Sequence, residues 1–349
     1  MSSLSGHTLT RLEGEELERQ ERDWKGYTEG LVRLTPGRWL FPATFEQYAD
    51  KYYKFETNPS DVVLLTYVKC GTTWLQEVVW TMRNNPNLDH PMAGMPINAR
   101  VAFFEMDTLL KTKNVAPITP DHPLMQGFKK MCPGRDPKNG VFLQMTECSP
   151  APRTFKSHLP LSLLTPNLLD NTKVVYMARN PKDIVLSFFH HCRIFKNHDF
   201  QGTFEEFVQY FLDDDFIYGP YWLHLKEAWK QRDHPNFHFM FYEDLKENNM
   251  EELKRLNNFL GTKLTQEQLE NVAHYTSFPE MKARDSVLGA GSDIFFNLDT
   301  VEKDGGFYRK GVVGDWKGKY TPELEAKMEE WIKTNLGDLG IEFKYGAKE

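Results

Sequence analysis

The chain has 349 residues, a formal net charge of −7 and an isoelectric point near 5.9 calculated from its sequence. This length suits one large α/β domain or two smaller ones, and the acidic balance argues against a nucleic-acid-binding protein, which normally presents a basic face. The four cysteines are widely spaced and include no C-x-x-C motif, so they give no case for zinc or for a disulfide framework.

Residues 1–40 are polar and charged and are interrupted by Pro36, so we predict a loosely attached and partly flexible arm. A lid over a substrate is the alternative interpretation of this arm. The amino-terminal residues lack the apolar core of a signal peptide, and no apolar run approaches the ~18 residues that a membrane span needs. We therefore expect a cytoplasmic protein without a membrane span, in which residues 41–345 form a single domain.

The first strand–turn–helix pattern lies in Asp61–Met82. Residues 61–67 are apolar and rich in β-branched side chains, which predicts a buried parallel strand, and helical spacing of apolar residues begins at Trp74. Residues 68–73, VKCGTT, form a tight turn that directs backbone N–H groups and the positive end of a helix dipole at one point. The pattern predicts a P-loop-like phosphate-binding strand–loop–helix, although the lysine precedes the glycine. An ordinary strand–helix turn is the alternative.

Residues 84–152 contain many of the prolines and show little regular pattern. An insertion of this length within a compact domain is usually functional or disordered, so we expect it to form part of a substrate pocket or a lid. Phe103 and Phe104 within it are candidates for an apolar pocket wall, with a place in the ordinary core as the alternative.

Further strands are predicted at Lys173–Ala178 and Phe237–Tyr242. Residues with capping chemistry mark the starts of later helices, at Asn180, Thr203, Thr265 and Thr321. Strands that alternate with helices predict an α/β fold with a central parallel sheet flanked by helices. In such folds ligands bind at the carboxyl ends of the strands. Several residues with reactive or charged side chains fall there: Lys69, His158, Arg179 and Tyr242.

Five segments, in this order, resemble the signature segments of the cytosolic sulfotransferases: TYVKCGTTW at 66–74, FKSHLPL at 155–161, RNPKDIVLSFFH at 179–190, FYEDLKEN at 241–248 and RKGVVGDWK at 309–317. The long insertion is similar to that of the arthropod branch, which includes insect retinol dehydratase. The resemblance implies transfer of a sulfonate group from 3′-phosphoadenosine 5′-phosphosulfate (PAPS) to a hydroxyl or an amine. The desulfonated product would be 3′-phosphoadenosine 5′-phosphate (PAP), and no metal is implied.

The resemblance also implies roles for individual residues. Donor binding is assigned to Lys69, Cys70, Gly71, Thr72, Thr73, Trp74, Arg179, Ser187, Tyr242, Thr276, Ser277, Phe278, Met281, Phe307, Tyr308, Arg309, Lys310 and Gly311. His158 is the expected catalytic base, because a hydroxyl nucleophile must lose a proton and histidine titrates nearest to neutral pH. Lys69 and Lys156 would neutralise charge on the sulfonate and on the leaving phosphate oxygen.

The acceptor is expected to be a small lipophilic hydroxyl compound, such as a phenol, a steroid or an isoprenoid alcohol, because the aromatic residues suggest an apolar pocket. Its predicted contacts are Phe103, Phe104, Lys156, Ser157, His158, Phe189 and His191. Three alternatives remain open. One is a retinol-dehydratase-like reaction, in which the sulfonate is transferred and then eliminated. The second is an ATP-dependent kinase, against which the glycine–lysine order argues. The third is a non-catalytic protein that binds lipophiles or nucleotides.

The chain departs from the family pattern at three places. Val68 and Cys70 stand where the family usually has proline and serine. A cysteine near a helix N-terminus can have a lowered thiol pKa, so we hypothesise that oxidation of Cys70 inhibits the enzyme. The short dimer motif K-x-x-x-T-V-x-x-x-E lacks its valine and glutamate after Lys317. A dimer is therefore possible but in doubt.

Overall fold

The computed structural model describes residues 2–110, 118–284, 295–303, 305–337 and 339–346. Its strands are β1 Thr8–Arg11, β2 Leu31–Thr35, β3 Trp39–Pro42, β4 Val62–Thr66, β5 Ala102–Phe103, β6 Thr154–Ser157, β7 Lys173–Ala178 and β8 Phe237–Phe241. The first three form an antiparallel sheet in the order β1-β2-β3. The other five form a parallel sheet in the order β5-β6-β4-β7-β8.

The helices surround the parallel sheet. In the described ranges, the α-helices are α1 Gly14–Asp23, α2 Ala49–Tyr53, α3 Thr72–Asn84, α4 Ile97–Arg100, α5 Pro123–Met131, α6 Val141–Cys148, α7 Leu168–Asn171, α8 Pro181–Ile194, α9 Phe204–Leu212, α10 Tyr221–Lys230, α11 Tyr242–Glu247, α12 Asn249–Leu260, α13 Gln266–Tyr275, α14 Phe278–Arg284, α15 Leu298–Lys303 and α16 Pro322–Leu336. Short 3₁₀ helices lie at Ala43–Gln47, Met106–Leu109, Pro137–Asn139 and Leu161–Leu163. No helix in this part of the chain combines the length and the apolarity that a membrane crossing requires.

Strand β4 lies at the centre of the parallel sheet and is buried along its whole length. Val63 and Leu65 pack on one face, in the core that includes α8, α9 and α10, whereas Val62 and Leu64 pack on the other face, against α3, α12 and α13. Alternate side chains of a strand point to opposite faces, so a strand covered on both sides must be apolar throughout. The predicted fold class, an α/β fold with a central parallel sheet flanked by helices, is confirmed.

The local signals in the sequence place several helices correctly. The side chain of Asn180 accepts a hydrogen bond from the backbone N–H of Asp183 at the start of α8. Capping boxes begin α9 at Thr203 and α13 at Thr265. Thr321 caps α16. These predictions succeed because a cap is a contact between residues two or three positions apart.

Residues 2–40 do not form the loosely attached arm that we predicted. They contain α1, the strands β1 and β2 and the first half of β3, and they pack into the main core: Trp24, Leu34 and Trp39 are at most 3% exposed. Strands β2 and β3 are mostly apolar and buried, but they are short, and the neighbouring helix α1 is rich in charged residues. The average composition of the segment is therefore typical of a flexible tail, although its buried positions are apolar.

The described part of the 84–152 insertion also has more structure than we expected. It contains α4, β5, α5 and α6, and β5 extends the parallel sheet by pairing with β6. The carboxylate of Asp107 accepts hydrogen bonds from the backbone N–H groups of Val141, Phe142 and Leu143 at the start of α6. This long-range cap holds two parts of the insertion together.

Candidate active site

A cavity of about 1330 Å³ opens at the carboxyl ends of the parallel strands. This is where ligands bind in open α/β sheets. Most of the predicted site residues line it: Lys69, Gly71, Thr72, Thr73, Trp74, Phe103, Lys156, His158, Arg179, Ser187, His191, Tyr242, Thr276, Phe278, Met281, Phe307, Tyr308, Arg309, Lys310 and Gly311. The structure therefore brings together residues that are separated by as much as two thirds of the chain.

The turn between β4 and α3 is built around Gly71. This glycine has φ of 91°, and a Cβ atom on it would lie 2.5 Å from Cδ2 of Tyr242 and 2.9 Å from Cε of Met177. Only glycine fits a left-handed backbone position with so little space. Helix α3 begins at Thr72, directly after it. The first N–H groups of a helix have no partner within the helix, so the turn presents donors and a positive dipole to the cavity.

Positively charged side chains surround this turn. Arg179 Nη1 donates to the carbonyl of Lys69 at 3.1 Å, and its guanidinium lies 4.3 Å from the centroid of the Tyr242 ring. Arg309 and Lys310 both pair with the carboxylate of Asp315. Burial, and then the charge of Arg179, lowers the pKa of Lys69 to about 8. These buried cations repel one another, and an anionic ligand bound between them would relieve that repulsion.

The wall beside the turn also contains aromatic side chains that can pack against the base of a nucleotide. The rings of Trp74 and Tyr242 meet edge to face at 5.4 Å, and Lys246 Nζ lies 5.9 Å from the rings of both Trp74 and Phe278. Two buried polar atoms, Trp74 Nε1 and Arg179 Nε, have no hydrogen-bond partner among the described residues. A nucleotide with phosphate groups would supply the missing charge and acceptors, so these residues fit PAPS. The described residues include no group of three or more His, Cys, Asp or Glu side chains that could hold a metal ion.

His158 lies between the cationic wall and the apolar half of the cavity, and its ring orientation is fixed. Its Nδ1 is 2.9 Å from the carbonyl oxygen of Thr66, which can only accept, so Nδ1 carries the proton. Its backbone N–H donates to Glu105 Oε1 at 2.6 Å, and its carbonyl accepts from His224 Nε2 at 3.1 Å. The lone pair of the neutral imidazole is therefore on Nε2, as a general base requires.

Burial sets the charge of the groups around His158. Desolvation, and then the charge of Lys156, lowers the pKa of His158 to about 3, so the imidazole is neutral at physiological pH. Desolvation also lowers the pKa of Lys156 to about 8, an effect that the nearby Glu105 opposes. Desolvation raises the pKa of Glu105 to about 7. His158 can thus accept a proton, while the two lysines remain largely cationic at neutral pH.

The opposite half of the cavity is apolar. It is lined by Phe103, Met106, Leu109, Phe142, Met145, Phe155, Phe188, Phe195, Ile217, Tyr218 and Phe296. The rings of Phe103 and His158 pack edge to face with their centroids 5.3 Å apart, and the centroid of the Phe103 ring is 4.4 Å from Lys156 Nζ. Several of these residues belong to the 84–152 insertion. The described part of the insertion therefore contributes to the wall of the cavity.

Three of the predicted acceptor contacts do not line the cavity. Phe104 is 1% exposed and packs against Phe55 and Phe155 in the core. Phe189 packs against aromatic rings of α9 and the preceding loop, on the other side of α8. Ser157 is fully buried, and its hydroxyl accepts a hydrogen bond from the N–H of Leu159. Each is a direct neighbour of a residue that does line the cavity.

Two of the predicted donor contacts, Cys70 and Ser277, do not line the cavity either. The side chain of Cys70 is fully buried beneath the turn, and this burial raises the pKa of its thiol, an effect that the charge of Arg179 only partly opposes. The expected lowering of the Cys70 pKa is therefore wrong. Desolvation of the thiolate outweighs the helix dipole at this position.

Hydrogen peroxide is expected to inactivate the parent enzyme and a Cys70→Ser variant at the same rate, because a buried thiol of raised pKa holds almost no reactive thiolate. The measurement is residual sulfonate transfer after timed exposure to peroxide. Slower inactivation of the variant would show that Cys70 is the sensitive group.

Sequence reasoning missed several residues that shape the site. Glu105 and Thr66 hold His158 in place, and Lys246, Asp315 and His198 belong to the cavity wall. Glu105 does leave a signal, since it is a carboxylate within the apolar run VAFFEM. The others resemble ordinary surface or strand residues until the fold brings them together.

The sequence of this chain is similar to the sequences of known sulfotransferases. The sulfotransferase domain family matches residues 59–340. Sulfotransferase 1A1 of Rattus norvegicus is 33% identical over 297 residues, which cover 83% of this chain and 89% of that protein. Sulfotransferase 1E1 of Homo sapiens is 31% identical over 302 residues, which cover 86% and 92%.

Comparisons of the structure extend the match to almost the whole chain. Retinol dehydratase in a complex with retinol and PAP has a TM-score of 0.81 and 27% identity, covering 97% of this chain and 99% of that one. Its complex with androsterone and PAP has a TM-score of 0.79 and 28% identity, covering 97% and 98%. The chain belongs to the sulfotransferase family and is a PAPS-dependent sulfotransferase.

Proposed function

We propose that this enzyme transfers the sulfonate group of PAPS to the hydroxyl of a small lipophilic acceptor, with His158 as general base. One observation carries the proposal. A single cavity has a cationic anion-binding turn at one side, an apolar wall at the other, and the lone pair of a fixed imidazole between them. That order of chemical environments matches the order of donor, reacting atoms and acceptor.

The donor half would hold PAPS through the turn and the surrounding cations. The N–H groups of 71–74 and the Lys69 ammonium would bind the phosphosulfate, and Arg179, Ser187 and Arg309 would bind the second phosphate. When bound, PAPS supplies the sulfonate and a phosphate leaving group. The forked guanidinium of an arginine suits a phosphate because two of its N–H groups can donate to two oxygens.

The proton of the acceptor hydroxyl would move to Nε2 of His158. The imidazolium that forms keeps its Nδ1–H bond to the Thr66 carbonyl, so the ring does not need to reorient. Lys156 disfavours this cation, but anionic charge near Lys69 and Lys156 would offset the repulsion. Most of the acceleration in a displacement of this kind comes from positioning and charge stabilisation, and a base contributes a further ~10²–10⁴-fold.

The acceptor would be a phenol, a steroid or an isoprenoid alcohol. The apolar lining supports this class, because such ligands are held mainly by buried apolar surface with a few polar groups. The retinol dehydratase structures contain retinol and androsterone, both lipophilic hydroxyl compounds. The contribution of the 84–152 insertion to the apolar wall supports a role for it in acceptor binding.

A retinol-dehydratase-like reaction is the second candidate. The match to retinol dehydratase covers 97% of this chain and 98–99% of that one. In that reaction the sulfonated alcohol loses sulfate and a proton to form an alkene. The same donor half and the same base would serve the first step.

The two candidates differ in their products. The enzyme is incubated with PAPS and a panel of phenols, steroids and isoprenoid alcohols, and the products are separated by chromatography. We expect a stable sulfated product from at least one acceptor. Free sulfate with an equal amount of alkene would establish elimination instead, and PAP formation from none of the acceptors would contradict the proposal.

Affinity for PAP is expected to fall by about tenfold between pH 7 and pH 9. The pKa values of Lys69 and Lys156, about 8, place their loss of positive charge in this range, whereas a phosphate is already almost fully ionised above pH 7. Binding therefore strengthens below pH 8 and weakens above it. Calorimetric titrations across this range test the prediction.

A Lys69→Arg variant is the matched control for this pH dependence. Arginine remains protonated throughout, so the variant should bind PAP with a flatter pH profile than the parent. Equal slopes for the two proteins would show that Lys69 does not titrate in this range.

A further inference from the structure

The apolar half of the cavity contains two histidines that the proposed chemistry does not use. His191, on α8, and His198, in the loop after it, line the cavity together with Phe188 and Phe195. The two imidazole rings are 5.3 Å apart, and Phe195 lies 4.7 Å from His191. We refer to Phe188, His191, Phe195 and His198 as the histidine corner. It places polar nitrogen atoms in a wall that is otherwise aromatic.

The tautomer of His198 is fixed by Tyr27. The Tyr27 hydroxyl and His198 Nδ1 form a hydrogen bond, and no other described residue accepts from that hydroxyl. Burial raises the pKa of Tyr27 and lowers the pKa of His198 to about 3, so both groups are neutral. The Tyr27 hydroxyl therefore donates to Nδ1, and the imidazole proton is on Nε2. No described residue accepts a hydrogen bond from Nε2, and His198 is 3% exposed.

The backbone holds this donor rigidly. The N–H of Gly26 donates to the carbonyl of His198 at 3.2 Å, and the N–H of Lys25 donates to the carbonyl of Asp199 at 3.1 Å. A Cβ atom on Gly26 would lie 2.0 Å from the carbonyl oxygen of Asn197, so the two segments are in the closest possible backbone contact. The amino-terminal segment does not line the cavity, but it supports the loop that carries His198.

His191 adds a second unsatisfied group at the same place. Its Nδ1 is buried and has no hydrogen-bond partner among the described residues. A buried polar group without a partner is costly, and in native proteins such a group usually has a partner when a ligand or water is bound. The rings of His191 and His198 both line the cavity and their centroids are 5.3 Å apart, so a ligand oxygen beside them has two imidazoles within reach.

We propose that the histidine corner binds a second oxygen of the acceptor, a hydroxyl or carbonyl remote from the hydroxyl that receives the sulfonate. The inference rests on the proposed function and narrows its acceptor class to lipophilic molecules with two oxygen functions. The Nε2–H of His198 donates to the remote oxygen. A hydroxyl can in turn donate to His191, while a carbonyl uses His198 alone. Acceptors with one hydroxyl leave both imidazoles unpartnered.

The test uses pairs of phenols that differ only in a remote oxygen. Each pair consists of a 4-alkylphenol and the 4-(ω-hydroxyalkyl)phenol of the same chain length, for chains of two to eight carbons. The readout is the ratio of kcat/KM within each pair, with PAPS as donor. The ratio should reach a maximum at one chain length, where the hydroxy compound is preferred by about tenfold, the value of one net hydrogen bond. At other lengths the hydroxyl meets an aromatic wall and lowers kcat/KM.

Two variants test whether the histidine corner causes the maximum in the kcat/KM ratio. His198→Phe should abolish it, and Tyr27→Phe should reduce it because the tautomer is no longer fixed. His190→Ala, a change on the same helix outside the cavity, should leave the ratio unchanged. PAP affinity, measured by calorimetry, reports folding of each variant. A maximum that persists in His198→Phe, or a flat ratio in the parent, would overturn the inference and leave the proposed function intact. Absence of transfer to every phenol would overturn the proposed function itself.

Discussion

Replacement of His158 by alanine is expected to lower kcat for sulfonate transfer by about 10²–10⁴-fold and to leave the affinity for PAP nearly unchanged. The variant lacks the Nε2 lone pair, so the acceptor hydroxyl has no group to receive its proton. The partners of His158 are Thr66, Glu105 and His224, none of which belongs to the cationic turn. A large loss of kcat without a loss of PAP affinity is the signature of a group that acts in the transition state.

His234→Ala is the matched control, because His234 does not line the cavity. It should retain the kcat of the parent. Steady-state kinetics and PAP titration of the three proteins, with thermal unfolding to verify the fold, make the comparison. If His158→Ala kept more than about a tenth of the parent kcat, a general base at this position would be ruled out.

Replacement of Gly71 by alanine is expected to reduce the affinity for PAP by tenfold or more and to lower the stability by about 1–2 kcal/mol. The φ of 91° is unfavourable for any residue with a Cβ atom, and the new atom would lie 2.5 Å from the ring of Tyr242. That ring cannot move freely, because Arg179 lies on its face and Trp74 against its edge. The turn itself must therefore shift, and the donor N–H groups shift with it.

Gly94→Ala is the control for this change, because Gly94 has no positive φ and no atom lies within 4 Å of the position of its Cβ. It should leave PAP affinity and thermal stability unchanged. Binding of PAP is measured by calorimetry and stability by circular dichroism. Gly71→Ala with the PAP affinity of the parent would show that the turn does not hold the donor.

The sequence predicts best what depends on neighbours along the chain. The turn around Gly71 and the caps at Asn180, Thr203, Thr265 and Thr321 are formed by residues a few positions apart. The positions of Lys69, His158 and Arg179 at strand ends follow from the α/β fold class. The pKa of Cys70 could not be predicted in this way, because its direction depends on burial that the sequence does not reveal.

Contacts between distant residues are what the sequence could not supply. The bond from His158 to Glu105 joins residues 53 apart, and the bond from Tyr27 to His198 joins residues 171 apart. Neither pair has a local pattern that predicts it. The prediction of a tail at residues 1–40 failed for the same reason, since that segment is stabilised by contacts with Phe200 and Tyr210 far along the chain.

Pairs of adjacent phenylalanines show a second limit of prediction from the sequence. Phe103 lines the cavity and Phe104 lies in the core, whereas Phe188 lines it and Phe189 packs on the far side of α8. Adjacent residues point in different directions in both strands and helices. The sequence therefore predicts that one member of each pair faces the pocket, but the orientation of the element decides which.

A single-turnover experiment tests whether His158 acts in the transfer of the sulfonate. Enzyme that has been saturated with PAPS, radiolabelled in its sulfonate group, is mixed with a phenol and quenched at short times. We expect label to move to the phenol oxygen in the parent enzyme and to remain on PAPS in His158→Ala, although both proteins bind the nucleotide. Transfer at the parent rate in the variant would contradict the role of His158, and no transfer in the parent would contradict the proposed sulfonate transfer itself.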